Sequence, residues 1–298
     1  MSWLAFWRRK KLVAEAQQAA TARTVGGRRF VSGVPYLLPK DMGEAQRLDF
    51  QHYLLRYALK GNYAAPIRQA GDILDVGCGT GRWAMEIANE FPGANVIGVD
   101  VAPPPTEAGA TADARPDNYA FVQGNVLERL PFADNSFDFV HQRLLILAIP
   151  ANRWPGVVHE LLRVTRPGGW VELVEGGDNF QGSPVMDTIT GWGQRLLQRR
   201  GIDSSIIAQI GPMLTASGAT DVSTRTARLP IGKHGGRVGA MVETNTMTAL
   251  AALRAPIISL GIADEQTYDA TMARAREEFA HGAYSIPFYI AYGRKPLA

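Results

Sequence analysis

Ile73-Leu74-Asp75-Val76-Gly77-Cys78-Gly79-Thr80-Gly81-Arg82-Trp83 is a short apolar run that breaks into Gly-x-Gly-x-Gly and passes straight into a helical pattern. Glycines at alternate positions let a chain leaving a strand turn sharply and let a ligand approach the backbone closely. Downstream, Ala84, Ile87, Ala88 and Phe91 share one face of a helix over Arg82–Phe91 that Pro92 ends. Further apolar runs follow at Val96–Val99, Tyr119–Val122, Phe137–Val140 and Trp170–Val174. They are nearly continuous in apolar character, as strands covered on both faces should be. Between the last two, Trp154, Val157, Val158 and Leu161 form another helical face before Pro167. The alternation predicts an α/β fold, a doubly wound, Rossmann-like, mostly parallel sheet.

Upstream, Asp41–Leu59 reads as a helix with Phe50, Tyr53, Leu54 and Tyr57 as its packing stripe and Gly61 as its stop. Residues 1–22 read as a basic helix opened by Trp3, Phe6 and Trp7, joined to the rest by a connector running through Pro39. After the fifth run come helices at Pro184–Arg200 and Asp203–Ser217, the second kinked at Pro212, then a weaker strand at Asp221–Ile231. Helices at Val238–Leu260 and Asp264–Ala280 are inserted before a final strand at Ser285–Arg294. The expected organisation is an N-terminal appendage over residues 1–35 and one domain over 36–298. Within that domain, 62–176 form a cofactor-binding core, and 36–61 with 232–283 form an acceptor cap.

The 298 residues are 46% hydrophobic and 20% charged with one cysteine, Cys78, an ordinary globular composition without a disulfide or multi-cysteine zinc site. No metal is expected, and the cytoplasm is the expected compartment. Residues 1–29 carry seven basic side chains against Glu15, whereas the remainder has 24 basic and 27 acidic residues. A body that is slightly acidic disfavours nucleic acid as a substrate. The aromatic and basic N-terminus is expected to pack on its own domain, on a second copy of the chain or on a protein partner, and a membrane surface is the less favoured occupant.

The strand delivers Asp75 just before the glycine turn. A pyrophosphate would avoid a carboxylate there, whereas the ammonium of S-adenosylmethionine would seek one, so the loop favours that cofactor over NAD. Nineteen residues beyond Gly81 the second run ends in Asp100, placed to accept both ribose hydroxyls. Val101 and Val126 can pack on the faces of an adenine, and Gln123-Gly124-Asn125 offers polar groups to its edge.

These motifs resemble the class I S-adenosylmethionine-dependent methyltransferases, and most of all the LaeA-like group associated with secondary metabolism. The resemblance covers about Tyr36 to Pro296. It includes Asp41-x-x-Glu44-x-x-Arg47-Leu48-Asp49-x-Gln51-His52, Ile73–Gly81, Val96–Asp100, Phe137-Asp138-Phe139-Val140-His141-Gln142-Arg143-Leu144 and Arg166-Pro167-Gly168-Gly169-Trp170-Val171-Glu172. It implies a seven-stranded sheet with an antiparallel last strand, and cofactor contacts at Asp75, Gly77, Gly79, Asp100 and Asn125. Asn125 stands where many relatives carry Asp, and Lys233-His234 stand where the group often has Trp-Pro.

With Cys78, Val101, Val126, Gln142 and Arg143 these complete the expected cofactor set. His141 is the candidate general base, and Tyr36, His52, Tyr53 and Glu175 are the candidate acceptor contacts. The expected activity is methyl transfer to a small-molecule acceptor in secondary metabolism. The alternative is a cofactor-binding regulator acting through protein partners.

Overall fold

The structure, a computed structural model, describes residues 22–25, 28–31, 38, 41–104, 115–177 and 183–297. The helix expected over residues 1–22 lies almost wholly outside them, as does Tyr36. The connector is not featureless: β1 (Ala22–Val25) and β2 (Arg28–Val31) pair antiparallel with Ala22 opposite Val31. The intervening sequence is Gly26-Gly27, a dipeptide that suits a tight hairpin and that the expectation of a connector passed over.

A second sheet of seven strands organises the rest. Its strands are β3 (Asp72–Val76), β4 (Asn95–Asp100), β5 (Tyr119–Gln123), β6 (Phe137–Arg143), β7 (Thr165–Gly176), β8 (Thr220–Ile231) and β9 (Tyr284–Arg294), in the order β5-β4-β3-β6-β7-β9-β8. The first five are parallel and β9 runs antiparallel to both neighbours, the doubly wound sheet with a reversed last strand that was expected. The crossover point lies at β3, whose neighbours are β4 on one side and β6 on the other. Ligands of such sheets bind in the crevice at that point.

The helices are α1 (Met42–Leu59), α2 (Arg82–Glu90), α3 (Trp154–Val164), α4 (Pro184–Gln198), α5 (Ile210–Ala216), α6 (Gly236–Ser259) and α7 (Glu265–His281). Asp41 caps α1 by accepting a hydrogen bond from the Glu44 amide. One core packs α3 and α5 on the sheet through Trp154, Val158, Leu161 and Leu214. The opposite face takes α2 through Trp83, Ala84 and Ile87, and a third cluster joins α1, α4, α6 and α7.

Two expectations for helices need correction. Tyr53 and Tyr57 are 43% and 52% exposed, so the proposed stripe of α1 is not its buried face. Of the stripe Leu54 is buried, on a face it shares with Glu44, Ala45, Arg47, His52 and Leu55. Pro212 does not kink a helix: a 3-10 turn at Ser204–Gln209 precedes α5, and Pro212 sits in the first turn of α5, where its missing N–H costs nothing. Among the described residues no helix is long and apolar enough to cross a membrane.

Candidate functional site

Four of the five residues of β3 are buried, and the strand delivers Asp75, only 3% exposed, to the carboxyl edge of the sheet. The turn that follows is pinned to β4, because the Gly77 and Cys78 amides both donate to the Val99 carbonyl at 2.8 and 3.1 Å. Gly77 has φ +71°, and a Cβ there would come within 2.5 Å of Leu145 Cδ2, so both conformation and space demand glycine. Asp100, at the end of β4, closes the turn from outside. One of its oxygens accepts from Gly79 N at 3.0 Å and the other from Ala102 N at 3.2 Å.

These groups line a cavity of about 380 Å³. Asp75, Gly77, Cys78, Gly79, Asp100, Val101, Asn125, Val126, His141, Arg143 and His52 all contribute to its wall, so most of the expected site residues are brought together. Asn125 folds locally, its Oδ1 accepting from Leu127 N at 3.0 Å and its Nδ2 donating to Glu128 at 3.2 Å. Gln123 donates to the Val101 carbonyl at 2.9 Å and so ties the two loops together.

Asp75, His141 and Glu172 stand opposite one another on β3, β6 and β7 and project from one face. His141 Nδ1 lies 3.0 Å from Asp75 Oδ1, and its ring stacks on Trp83 with centroids 3.8 Å apart and planes 4° apart. A carboxylate only accepts, so Nδ1 donates to Asp75. The ring's Nε2 is buried and has no hydrogen-bond partner among the described residues. Glu172, whose pKa burial pushes up, accepts from the Ala64 and Ala65 amides and anchors the segment that leads into β3.

His52, on α1, bridges two elements. Arg143 Nη2 donates to its Nδ1 at 3.1 Å, which leaves the proton on Nε2, 3.1 Å from Glu86 Oε2 on α2. Burial first, then the neighbouring Arg143 cation, hold its pKa down at about 4, so the ring is neutral at physiological pH.

Three expected residues fall elsewhere. Gln142 projects from the opposite face of β6 and donates to Glu175 instead of lining the cavity. Glu175, fully buried, accepts also from Leu145 N at 2.8 Å and Ile146 N at 3.1 Å, so it holds the turn after β6 and not an acceptor. Tyr53 faces away from the cavity.

The roof of the cavity lies in the two segments expected as the acceptor cap, where Glu44 and Arg47 of α1 and Asn245 and Thr246 of α6 meet, residues given no individual role from sequence. Arg47 grips Glu44 through two hydrogen bonds of 2.6 and 2.8 Å and donates to Asn245 Oδ1 at 3.1 Å. In the sequence the contact shows as an oppositely charged pair three residues apart on the His52 face of the helix, within the Asp41-x-x-Glu44-x-x-Arg47 motif.

The arrangement offers a carboxylate for paired hydroxyls at Asp100, apolar walls for a flat base at Val101 and Val126, and a carboxylate for a cation at Asp75. Residues 73–169 match the family described as a methyltransferase domain. The methyltransferase str3 of Strobilurus tenacellus is 36% identical over 158 residues, which are 53% of this chain and 54% of that protein. Its companion str2 is 28% identical over 277 residues, 88% of this chain and 96% of that one. The secondary metabolism regulator laeA of Aspergillus fumisynnematus is 37% identical over 145 residues, 47% of this chain and 36% of the regulator. The chain thus spans about half the length of str3 and about a third of the regulator. Among solved structures, YcgJ of Bacillus subtilis shares the fold at 21% identity and a TM-score of 0.50, covering 83% of this chain and all of that one. Residues 73–169 thus carry a methyltransferase-domain match, and sheet order, glycine turn and these relatives together make the chain similar to the class I S-adenosylmethionine-dependent methyltransferases and to the LaeA group.

Proposed function

We propose that the chain transfers the methyl group of S-adenosylmethionine to a small-molecule acceptor in secondary metabolism. The observation that carries this reading is the continuity of one cavity from the glycine turn to an apolar lobe under α6. The residues fit the cofactor: the Gly79 and Ala102 amides orient the Asp100 carboxylate at the end of β4, where it would receive the ribose hydroxyls, and the glycine turn lets the backbone approach the ligand closely. Val101, Asn125 and Val126 would hold the adenine, and Asp75 with the turn backbone the amino-acid end. Bound there, S-adenosylmethionine supplies an electrophilic methyl group on sulfur.

The chain's own part is positioning and exclusion of water, with α1 and α6 as the cap. Where the acceptor is an O–H or N–H acid, His141 would take its proton, with Asp75 orienting the ring. The membership of the relatives in secondary metabolism supports the setting, and a single buried cysteine suits a reducing cytoplasm.

Calorimetry should show S-adenosylhomocysteine binding and NAD not binding. Asp100→Ala should cost about 1.5–3 kcal/mol, roughly ten- to a hundred-fold in affinity. NAD as the tighter ligand would sink the reading. His141→Gln should lower kcat by about two to four orders of magnitude with cofactor affinity nearly intact, if the base is needed. Unchanged turnover assigns the rate to proximity alone. The 37% identity to laeA favours a second reading, a cofactor-binding regulator acting through a protein partner. Binding of S-adenosylhomocysteine without turnover of any small acceptor would select it.

A further inference from the structure

Three arginines line the cavity, and they differ in their counterions. Arg47 grips Glu44, and Arg82 pairs with Asp49 at 3.0 Å. Arg143 has no carboxylate within ion-pair distance among the described residues. It donates one of its five N–H bonds to His52, a neutral ring, and makes no other hydrogen bond among the described residues. Burial lowers its pKa, and Asp75, Glu172 and Glu86 oppose this only from a distance.

Arg143 is half-buried, and a guanidinium partly withdrawn from bulk water without an ion-pair partner is costly, unless a ligand completes it. Its planar fork matches a carboxylate in bidentate geometry. Location says whose carboxylate. Along the carboxyl edge of the sheet the order is β5, β4, β3, β6, so the adenine walls, the ribose acid Asp100 and Asp75 come first, and Arg143 lies one strand farther on. Beside it the wall turns apolar at Leu144, Leu147, Leu197, Leu250 and Phe288.

We propose that Arg143 is the specificity-determining residue of the acceptor lobe, and that the acceptor is a small, largely apolar molecule carrying a carboxylate that pairs with it. The proposal rests on the methyltransferase reading above. It moves Arg143 from the cofactor set to the acceptor.

Protein saturated with S-adenosylhomocysteine should be titrated with benzoate and with benzamide, its neutral counterpart. Benzoate should bind at least about tenfold more tightly. Arg143→Met should erase that preference and Arg143→Lys keep part of it. Equal binding of the two probes, or a preference that survives Arg143→Met, would overturn the proposal. The other source of a carboxylate is the cofactor itself, tested with 5′-methylthioadenosine, which lacks the amino-acid end. If Arg143→Met weakens S-adenosylhomocysteine but not methylthioadenosine, and benzoate finds no site on the wild type, the guanidinium serves the cofactor and the proposal falls. The wild-type comparison of the two probes stands even where a variant does not fold. Failure of the wild type to bind S-adenosylhomocysteine at all would instead bring down the underlying reading.

Discussion

At the scale of single residues, Gly77 and Glu175 make opposite demands on their surroundings. Gly77→Ala would force a side chain into the left-handed region and against Leu145, at a cost of about 1–3 kcal/mol from the backbone alone. Calorimetry should show S-adenosylhomocysteine affinity down by more than about tenfold, because the turn cannot keep its shape. Burial pushes the Glu175 pKa up to about 7, against three hydrogen-bond donors that favour the ion. The native state therefore holds a proton that the unfolded chain has released, so stability is greatest below the ordinary carboxylate range and falls as pH rises through 7. A shift of this size is worth about 3 kcal/mol. Urea denaturation at pH 5 and pH 8 should show that fall in the wild type, and Glu175→Gln should remove it while costing about 1–3 kcal/mol of its own. Asp75 and Asp100 were legible because an acid within or directly ending an apolar run has few structural uses. Gln142 was misread by one position: side chains alternate along β6, so the neighbour of His141 and Arg143 points to the other layer.

At the scale of elements, the strands and most helices could be read from apolar periodicity, whereas the buried face of α1 could not. Its inward residues Glu44, Arg47, Gln51 and His52 are polar because they line a site, and a polar face looks like a solvated one in sequence. Leu54 was then assigned the wrong neighbours, Tyr53 and Tyr57, and Leu55 was passed over. The link from α1 to α6 through Arg47 and Asn245 predicts that Arg47→Met leaves Glu44 buried without its partner and destabilises the fold by about 3–5 kcal/mol. Thermal denaturation should show Glu44→Gln together with Arg47→Met recovering part of that loss, since the stranded charge goes as well. No recovery would mean that the pair acts through packing and not through charge.

For the molecule as a whole, the seven-stranded sheet begins at Asp72 and shares no hydrogen-bonded ladder with β1 and β2. Removing residues 1–35 should accordingly leave a cooperative unfolding transition and S-adenosylhomocysteine binding, followed by calorimetry. Loss of either would make the basic segment part of the core. The ladder between β8 and β9 has a different implication. Ile231 and Tyr284 face each other, so the stretch holding α6 and α7 leaves the sheet and returns to it at adjacent points. An excursion whose two ends already meet adds little closure cost whatever its length. The wall proposed to meet the acceptor is therefore a cassette clipped into a hairpin, while the parallel strands that hold the glycine turn stay untouched. Exchange of this cassette among relatives would alter what is methylated and leave the donor site as it stands.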